Sequence, residues 1–176
     1  MSETTLEQLT TKALAIKVVL TDCDGVLTDG GVYYSARGEH LKRFHMRDGM
    51  GVERLRSLLG IETGIVSGEA SLSIKRRAQK LGINECHLGI KNKTDQLHRI
   101  ATQRSLPLAA FAYIGDDVND LAVLALVGLS ACPRDAMPEV REAVDMICQL
   151  KGGEGVFREF AEWIIAARLQ RTGHSR

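Results

Sequence analysis

The chain has 176 residues, 44% of them hydrophobic and 26% charged, which is the length of one domain and the composition of a soluble globular protein. Its formal charge of +1 gives no field to draw in nucleic acid or anionic lipid, and no apolar run nears the roughly 20 residues of a membrane span, so neither partner is expected. Four scattered cysteines without ligand spacing argue against a zinc site or a disulfide framework, and the start MSETTLEQLTT lacks the pattern of a secretory leader, which points to the cytoplasm.

Apolar runs alternate with amphipathic segments along the chain, the pattern of a doubly wound, Rossmann-like α/β fold with helices on both faces of a parallel sheet. Residues 1–176 read as a single domain with its core at about 16–165 and loose ends at about 1–10 and 171–176. The first strand is predicted over 16–21, IKVVLT, apolar enough to lie centrally. After it comes DCDGVLTDGG, and then GVYYSARGEHLKRF at 31–44, whose two β-prone runs flank Ala36, Arg37 and Gly38 and read as an inserted hairpin. The rest alternates: helix 49–59, strand 62–67, helix 70–81, strand 85–88, helix 93–104, strand 111–115, helix 118–126, strand 128–131, helix 137–143 and a short strand near Met146. No repeat, linker or low-complexity tract interrupts it.

The chemistry collects at strand ends. Asp22 and Asp24 follow the first strand, at the edge where open α/β sheets bind ligands, although Asp-Gly serves ordinary turns equally well. Asp116 and Asp117 follow the strand FAYIG and taken alone suit the cap of the next helix. Together the two acidic clusters would repel each other unless a cation lay between them, and hard oxygen ligands suit Mg²⁺. Ser67 and Gly68 end the strand ETGIV with a hydroxyl and backbone N–H groups fit for a phosphoryl oxygen, and Lys93 opens the helix after the next strand. Singly, Ser67 as a helix cap and Lys93 as a solvated lysine are the simpler readings.

In this order DCDGVLT, VSG, a lysine after the third strand and GDDVND resemble the four motifs of the haloacid dehalogenase superfamily, over about residues 16–160. The resemblance implies Asp22 as nucleophile of an aspartyl-phosphate intermediate and Asp24 as general acid and base. It implies Ser67 and Lys93 as phosphoryl ligands. Mg²⁺ would be held by Asp22, Asp116 and the backbone carbonyl of Asp24, with Asp117 close by or bonded through water. The aspartate at the second position looks like a phosphatase. No stretch is long enough for the cap domain that covers many members' sites, so the protein looks capless.

TDCDGVLTDGGVYYSARGEHLKRFHMRDGMG and KGGEGVFREFAEWI further resemble the phosphatases of 3-deoxy-2-ulosonic acid biosynthesis. These act on 3-deoxy-D-manno-octulosonate 8-phosphate, the precursor of the lipopolysaccharide sugar, or on 2-keto-3-deoxynononate 9-phosphate. The likeness implies a homotetramer in which hairpins associate and a neighbouring subunit completes the site. Glu69 stands where octulosonate enzymes usually carry arginine and leans toward the nononate type, in which it would meet substrate hydroxyls while Arg77 and Lys80 of the neighbour pair with the carboxylate. Arg47 and Asp48, in FHMRDG, resemble a segment facing the site, although Asp48 suits an ordinary helix cap equally well. The rival readings are an N-acylneuraminate 9-phosphate phosphatase and a catalytically silent module that mediates assembly.

Overall fold

The computed structural model describes residues 3–173. The strands are β1 (Val18–Thr21), the hairpin pair β2 (Tyr33–Ser35) and β3 (Gly38–Leu41), β4 (Glu62–Val66), β5 (Glu85–His87), β6 (Phe111–Ile114), β7 (Leu129–Cys132) and β8 (Met146–Ile147). The helices are α1 (Glu3–Ala15), α2 (Met46–Leu59), α3 (Leu72–Leu81), α4 (Lys93–Arg104), α5 (Leu121–Leu124), α6 (Pro138–Ala143) and α7 (Val156–Gly173). Six strands pair in parallel in the order β5-β4-β1-β6-β7-β8, and β2 and β3 make a separate antiparallel ribbon. Every residue of β1, β6 and β7 is buried, as covered parallel strands require, and this is why they read as largely apolar runs, with Thr21 and Ser130 their only hydroxyl-bearing aliphatic residues.

Successive side chains of β1 enter different layers. Val19 joins a core with Leu9 and Ala13 of α1, Leu55 of α2, Ile74 of α3 and Phe157 and Phe160 of α7. Val18 and Leu20 face the other layer, with Leu97 and Ile100 of α4, Leu124 of α5 and Val140 of α6. From β1 the chain runs outward through β4 to β5, then crosses back to β6 on the other side. Strand order reverses beside β1, so a crevice opens at the carboxyl ends of β1, β4 and β6.

The ends depart from expectation. Residues 3–10, predicted loose, belong to α1, which docks through buried Leu9 and Ala13, and the Arg168 guanidinium donates 2.8 Å to the carbonyl of Leu14 at the helix end. The predicted loose tail begins inside α7, while residues 174–176 lie outside the described part. Helix α2 starts at Met46, three residues before its predicted start, because His45 caps it by accepting from the Arg47 N–H at 3.2 Å. The helix predicted over 118–126 is a 3-10 turn at Val118–Asp120 followed by the one-turn α5. Among the described residues no helix is long and apolar enough to cross a membrane.

Candidate active site

Thr21 is in register with Ile65 of β4 and Ile114 of β6, so Asp22 leaves the sheet between the two neighbouring strand ends. Its N–H still donates to the carbonyl of Ile114, at 2.9 Å, which holds the loop after β1 against β6. Gly25 then turns with φ +87°, and a Cβ there would lie 1.9 Å from Oδ2 of Asp116. Only glycine lets the two acidic loops meet this closely.

Asp22, Asp116 and Asp120 each bring a carboxylate oxygen within 4.8 Å of the others. Lys93, the first residue of α4, lies between two of them, 3.1 Å from Asp22 Oδ1 and 2.7 Å from Asp120 Oδ1. Asp120 is fully engaged, since it also accepts from the Tyr113 hydroxyl at 2.9 Å and from the Asp116 N–H at 3.2 Å. It anchors Lys93 and the loop. One ammonium against three carboxylates leaves two negative charges in excess if all are ionised. The protonation balance reflects this: burial, then Asp120, pushes Asp22 up to about 7 despite Lys93, and burial, then Asp22 and Asp120, pushes Asp116 up to about 8. Burial works against the charge on Lys93, but Asp22 and Asp120 hold it above its usual value. Asp116 Oδ1 is buried without a partner. An all-oxygen donor set, a partnerless oxygen and a twofold excess of negative charge fit a hard divalent cation.

A cavity of about 180 Å³ is lined by Asp22, Asp24 and Asp116 together with Ser67, Gly68 and Glu69. Ser67 does not cap α3, whose N-cap is Ser71; its Oγ accepts from the Glu69 N–H at 3.1 Å, which shapes a tight turn over the end of β4. Asp24 turns one oxygen, Oδ1, toward Lys42 at 2.6 Å and the Thr28 hydroxyl at 3.3 Å, and its Oδ2 is buried without a partner. Asp117 is exposed and accepts from the Val118 N–H at 2.7 Å, so it lines the cavity rim while Asp120 takes the third place in the cluster.

Three expected substrate contacts lie elsewhere in this subunit. Arg47 is exposed in the first turn of α2 and does not line the cavity. Arg77 donates to the carbonyl of His45 at 3.1 Å and covers the Phe44 ring, so it ties α3 to the start of α2. Lys80 is exposed in the last turn of α3. Asp48 caps α7 across the core, accepting from the Arg158 N–H at 3.0 Å, and does not cap its own helix. Sequence reasoning passed over Asp120 and Lys42. Asp120 had a signal, since it sits four residues after Asp116 and directly before the apolar LAVL, which turns it inward; Lys42 had none, because hairpin lysines ordinarily face water.

The haloacid dehalogenase-like hydrolase family matches residues 88–160. Over 153 residues, 87% of this chain and 84% of the relative, the chain is 40% identical to the 3-deoxy-D-manno-octulosonate 8-phosphate phosphatase of Haemophilus influenzae. The chain belongs to the haloacid dehalogenase-like hydrolases. Within them it is a phosphoric monoester hydrolase of the capless kind, since the described chain adds only the β2–β3 ribbon after the first motif and one helix and one strand between the second and third. A crystal structure of the Moraxella catarrhalis 3-deoxy-D-manno-octulosonate 8-phosphate phosphatase, in complex with a magnesium ion, a phosphate ion and a KDO molecule, matches with a TM-score of 0.89 at 32% identity, over 96% of both chains. The cobalt-bound form of the Haemophilus influenzae phosphatase matches with a TM-score of 0.87 at 38% identity, over 94% of this chain and 96% of that one. Metal-bound structures thus exist for hydrolases of this family with this fold, in keeping with the acidic donor set here.

Proposed function

We propose that the protein hydrolyses 3-deoxy-D-manno-octulosonate 8-phosphate to the free sugar acid and inorganic phosphate, through a covalent phosphoryl group on Asp22. What carries this reading is that Asp22, Asp24 and Ser67 line one cavity, with the buried Lys93 ammonium 3.1 Å from Asp22 Oδ1, in a chain whose relatives are phosphatases of that ester. Mg²⁺ held by Asp22, Asp116 and the Asp24 carbonyl, with Asp117 at the rim, would screen the phosphate from the carboxylates and stabilise charge at the transferring phosphoryl group.

Asp22 attacks phosphorus as a carboxylate; a new O–P bond forms as the P–O bond to the sugar breaks. The electron pair goes to the sugar oxygen, which takes a proton from Asp24. Water then attacks the aspartyl-phosphate, Asp24 accepts a proton from it, and the Asp22 carboxylate is released with inorganic phosphate. Lys93, Ser67 and the N–H groups at Gly68 bind the phosphoryl oxygens and orient them in line with Asp22. Lys93 cannot wander, because Asp120 and Asp22 grip it inside the protein.

The sugar needs room that a small cavity lacks. Glu69 lines the cavity and also a groove of about 610 Å³ between the ribbon and the start of α3, bounded by Tyr34, Ser71 and Arg76. The polyol lies along this groove, with Glu69 accepting from its hydroxyls. Arg76 is the guanidinium that this chain offers there, and Arg77 and Lys80 would reach a substrate carboxylate only from a neighbouring subunit of a cytoplasmic homotetramer. Glu69 is also the observation that favours a second substrate, the nine-carbon 2-keto-3-deoxynononate 9-phosphate, whose extra hydroxyl it would meet.

The covalent route has a direct test. Asp22→Asn is expected to lose roughly a thousandfold or more in turnover with its melting temperature preserved, and Asp24→Asn to accumulate labelled phosphoenzyme from an ester with a good leaving group. Asp22→Asn activity within about tenfold of the parent would refute the assignment of the nucleophile.

A further inference from the structure

Lys42 is an odd lysine. It lies on the ribbon just past β3, where a lysine would ordinarily face water, yet its side chain is fully covered. Its ammonium is 2.6 Å from Asp24 Oδ1 and 3.6 Å from Glu39 Oε2, and Glu39 in turn accepts from the Ser71 hydroxyl at the start of α3. Burying a lysine is costly unless it is paired, so an arrangement that sinks this one against Asp24 holds the carboxylate firmly.

The hold is on one oxygen. Asp24 Oδ1 receives Lys42 and Thr28, whereas Oδ2 has no partner and belongs to a residue that lines the cavity. A carboxylate free to rotate would present either oxygen, or neither, to a leaving group. We propose that Lys42 is a positioning residue for Asp24: by clamping Oδ1 it fixes the rotamer of a carboxylate at the cavity wall, and Glu39, braced on Ser71, keeps Lys42 in place. The inserted ribbon is then part of the catalytic apparatus of its own subunit, joined to the first motif through Lys42 and Asp24 and to the turn after the second through Glu39 and Ser71. A shift of the ribbon reaches the acid-base carboxylate through one side chain. This inference rests on the acid-base role assigned to Asp24 above, but not on the identity of the sugar.

The test is steady-state kinetics of the magnesium-loaded, full-length enzyme on phosphate monoesters graded from an aryl phosphate with a good leaving group to an alkyl phosphate with a poor one. A mispositioned general acid hurts poor leaving groups most, because they depend on the proton. Lys42→Met is expected to lower kcat by about tenfold on the aryl ester and about a hundredfold on the alkyl ester, with KM within about threefold, and Lys42→Arg to recover most of the alkyl loss. An equal loss across the series, no loss, or a loss that Lys42→Arg fails to recover would overturn the proposal. Should Lys42→Met not fold, Glu39→Gln carries the same test, with a smaller steepening in the same direction expected and an unchanged profile contradicting it. No sugar acid enters the series, so a wrong substrate assignment leaves the result readable. Failure of the acid-base reading itself would show separately, as a leaving-group profile that Asp24→Asn does not alter.

Discussion

Asp22 and Asp116 are protonated more readily than ordinary aspartates, pushed up to about 7 and about 8 by burial and by neighbouring carboxylates, and Asp48 is pushed up to about 6, chiefly by burial. From the ordinary value of 3.8 to those values the folded chain therefore binds more protons than the unfolded one. Stability of the metal-free protein falls as pH rises through that window. Mg²⁺ competes with the same protons for Asp22 and Asp116. The melting temperature without metal is expected to drop between about pH 5 and pH 8, and the gain on adding Mg²⁺ to be larger at pH 8 than at pH 5. Differential scanning calorimetry in excess chelator and in excess Mg²⁺ checks both; an equal gain at the two pH values would contradict the acidic cluster as the metal's seat. The residues that frame this cluster divide by how they announce themselves. Asp22, Asp24, Asp116 and Ser67 stand at or just past strand ends, where apolar runs stop at polar residues, and Lys93 opens α4 beyond the loop after β5, so as candidates they were visible in the sequence. Arg77 belongs to the same reading only as a residue of a neighbouring copy; within its own chain it donates to the His45 carbonyl and covers the Phe44 ring, packing α2 on α3, and such a contact leaves no mark in a single sequence.

The elements that support the loop after β1 include one that is distant in the chain. The turn after β8 lays Gly152 on the first motif so closely that a Cβ would fall 2.0 Å from the carbonyl oxygen of Gly25, and the Gly153 N–H donates to the carbonyl of Val26 at 2.9 Å. Gly152→Ala must push two backbones apart, and neither is a flexible side chain. It is expected to lower kcat more than about tenfold and to lower the melting temperature, with the far-ultraviolet circular dichroism unchanged. Kinetics at the parent's level would show that the two loops move independently. The central strands β1 and β6 were legible because full burial makes them largely apolar, and the ribbon because two β-prone runs flank a turn. Helix α1 was not, since its sequence is mostly polar and only a narrow stripe, with Leu9 and Ala13, is buried. Helix α2 hid its first turn because Asp48 reads as the cap of a helix beginning at Gly49, whereas His45 is the cap and Asp48 turns to the Arg158 N–H of α7; Gly51 sits inside the helix where a Cβ would lie 3.0 Å from the Arg158 Cα, at the crossing with α7.

The molecule as a whole leaves the ribbon uncovered: Tyr33 is 63% and Tyr34 73% exposed, with Val32 and Leu41 beside them. A two-stranded ribbon with bare edges and bare aromatic rings is poorly stable by itself in water, and pairing between copies would cover it. Charged replacements at Val32 and Tyr34 are expected to give smaller species by light scattering, with turnover of the sugar-acid phosphate weakened more than that of an aryl phosphate. A parent protein already monomeric at working concentration, with full selectivity, would contradict the shared site. Selectivity is where fold, site and assembly meet, because an open cavity of about 180 Å³ can hold a phosphoryl group but not recognise a sugar acid by itself. The most direct measurement is therefore phosphate release by the magnesium-loaded enzyme from octulosonate 8-phosphate, nononate 9-phosphate, N-acetylneuraminate 9-phosphate and a hexose phosphate. The expected result is a kcat/KM for octulosonate 8-phosphate at least about tenfold above that for N-acetylneuraminate 9-phosphate and for the hexose ester, all of it lost in Asp22→Asn; a hexose phosphate hydrolysed as well as the sugar-acid esters, or release that survives Asp22→Asn, would contradict it.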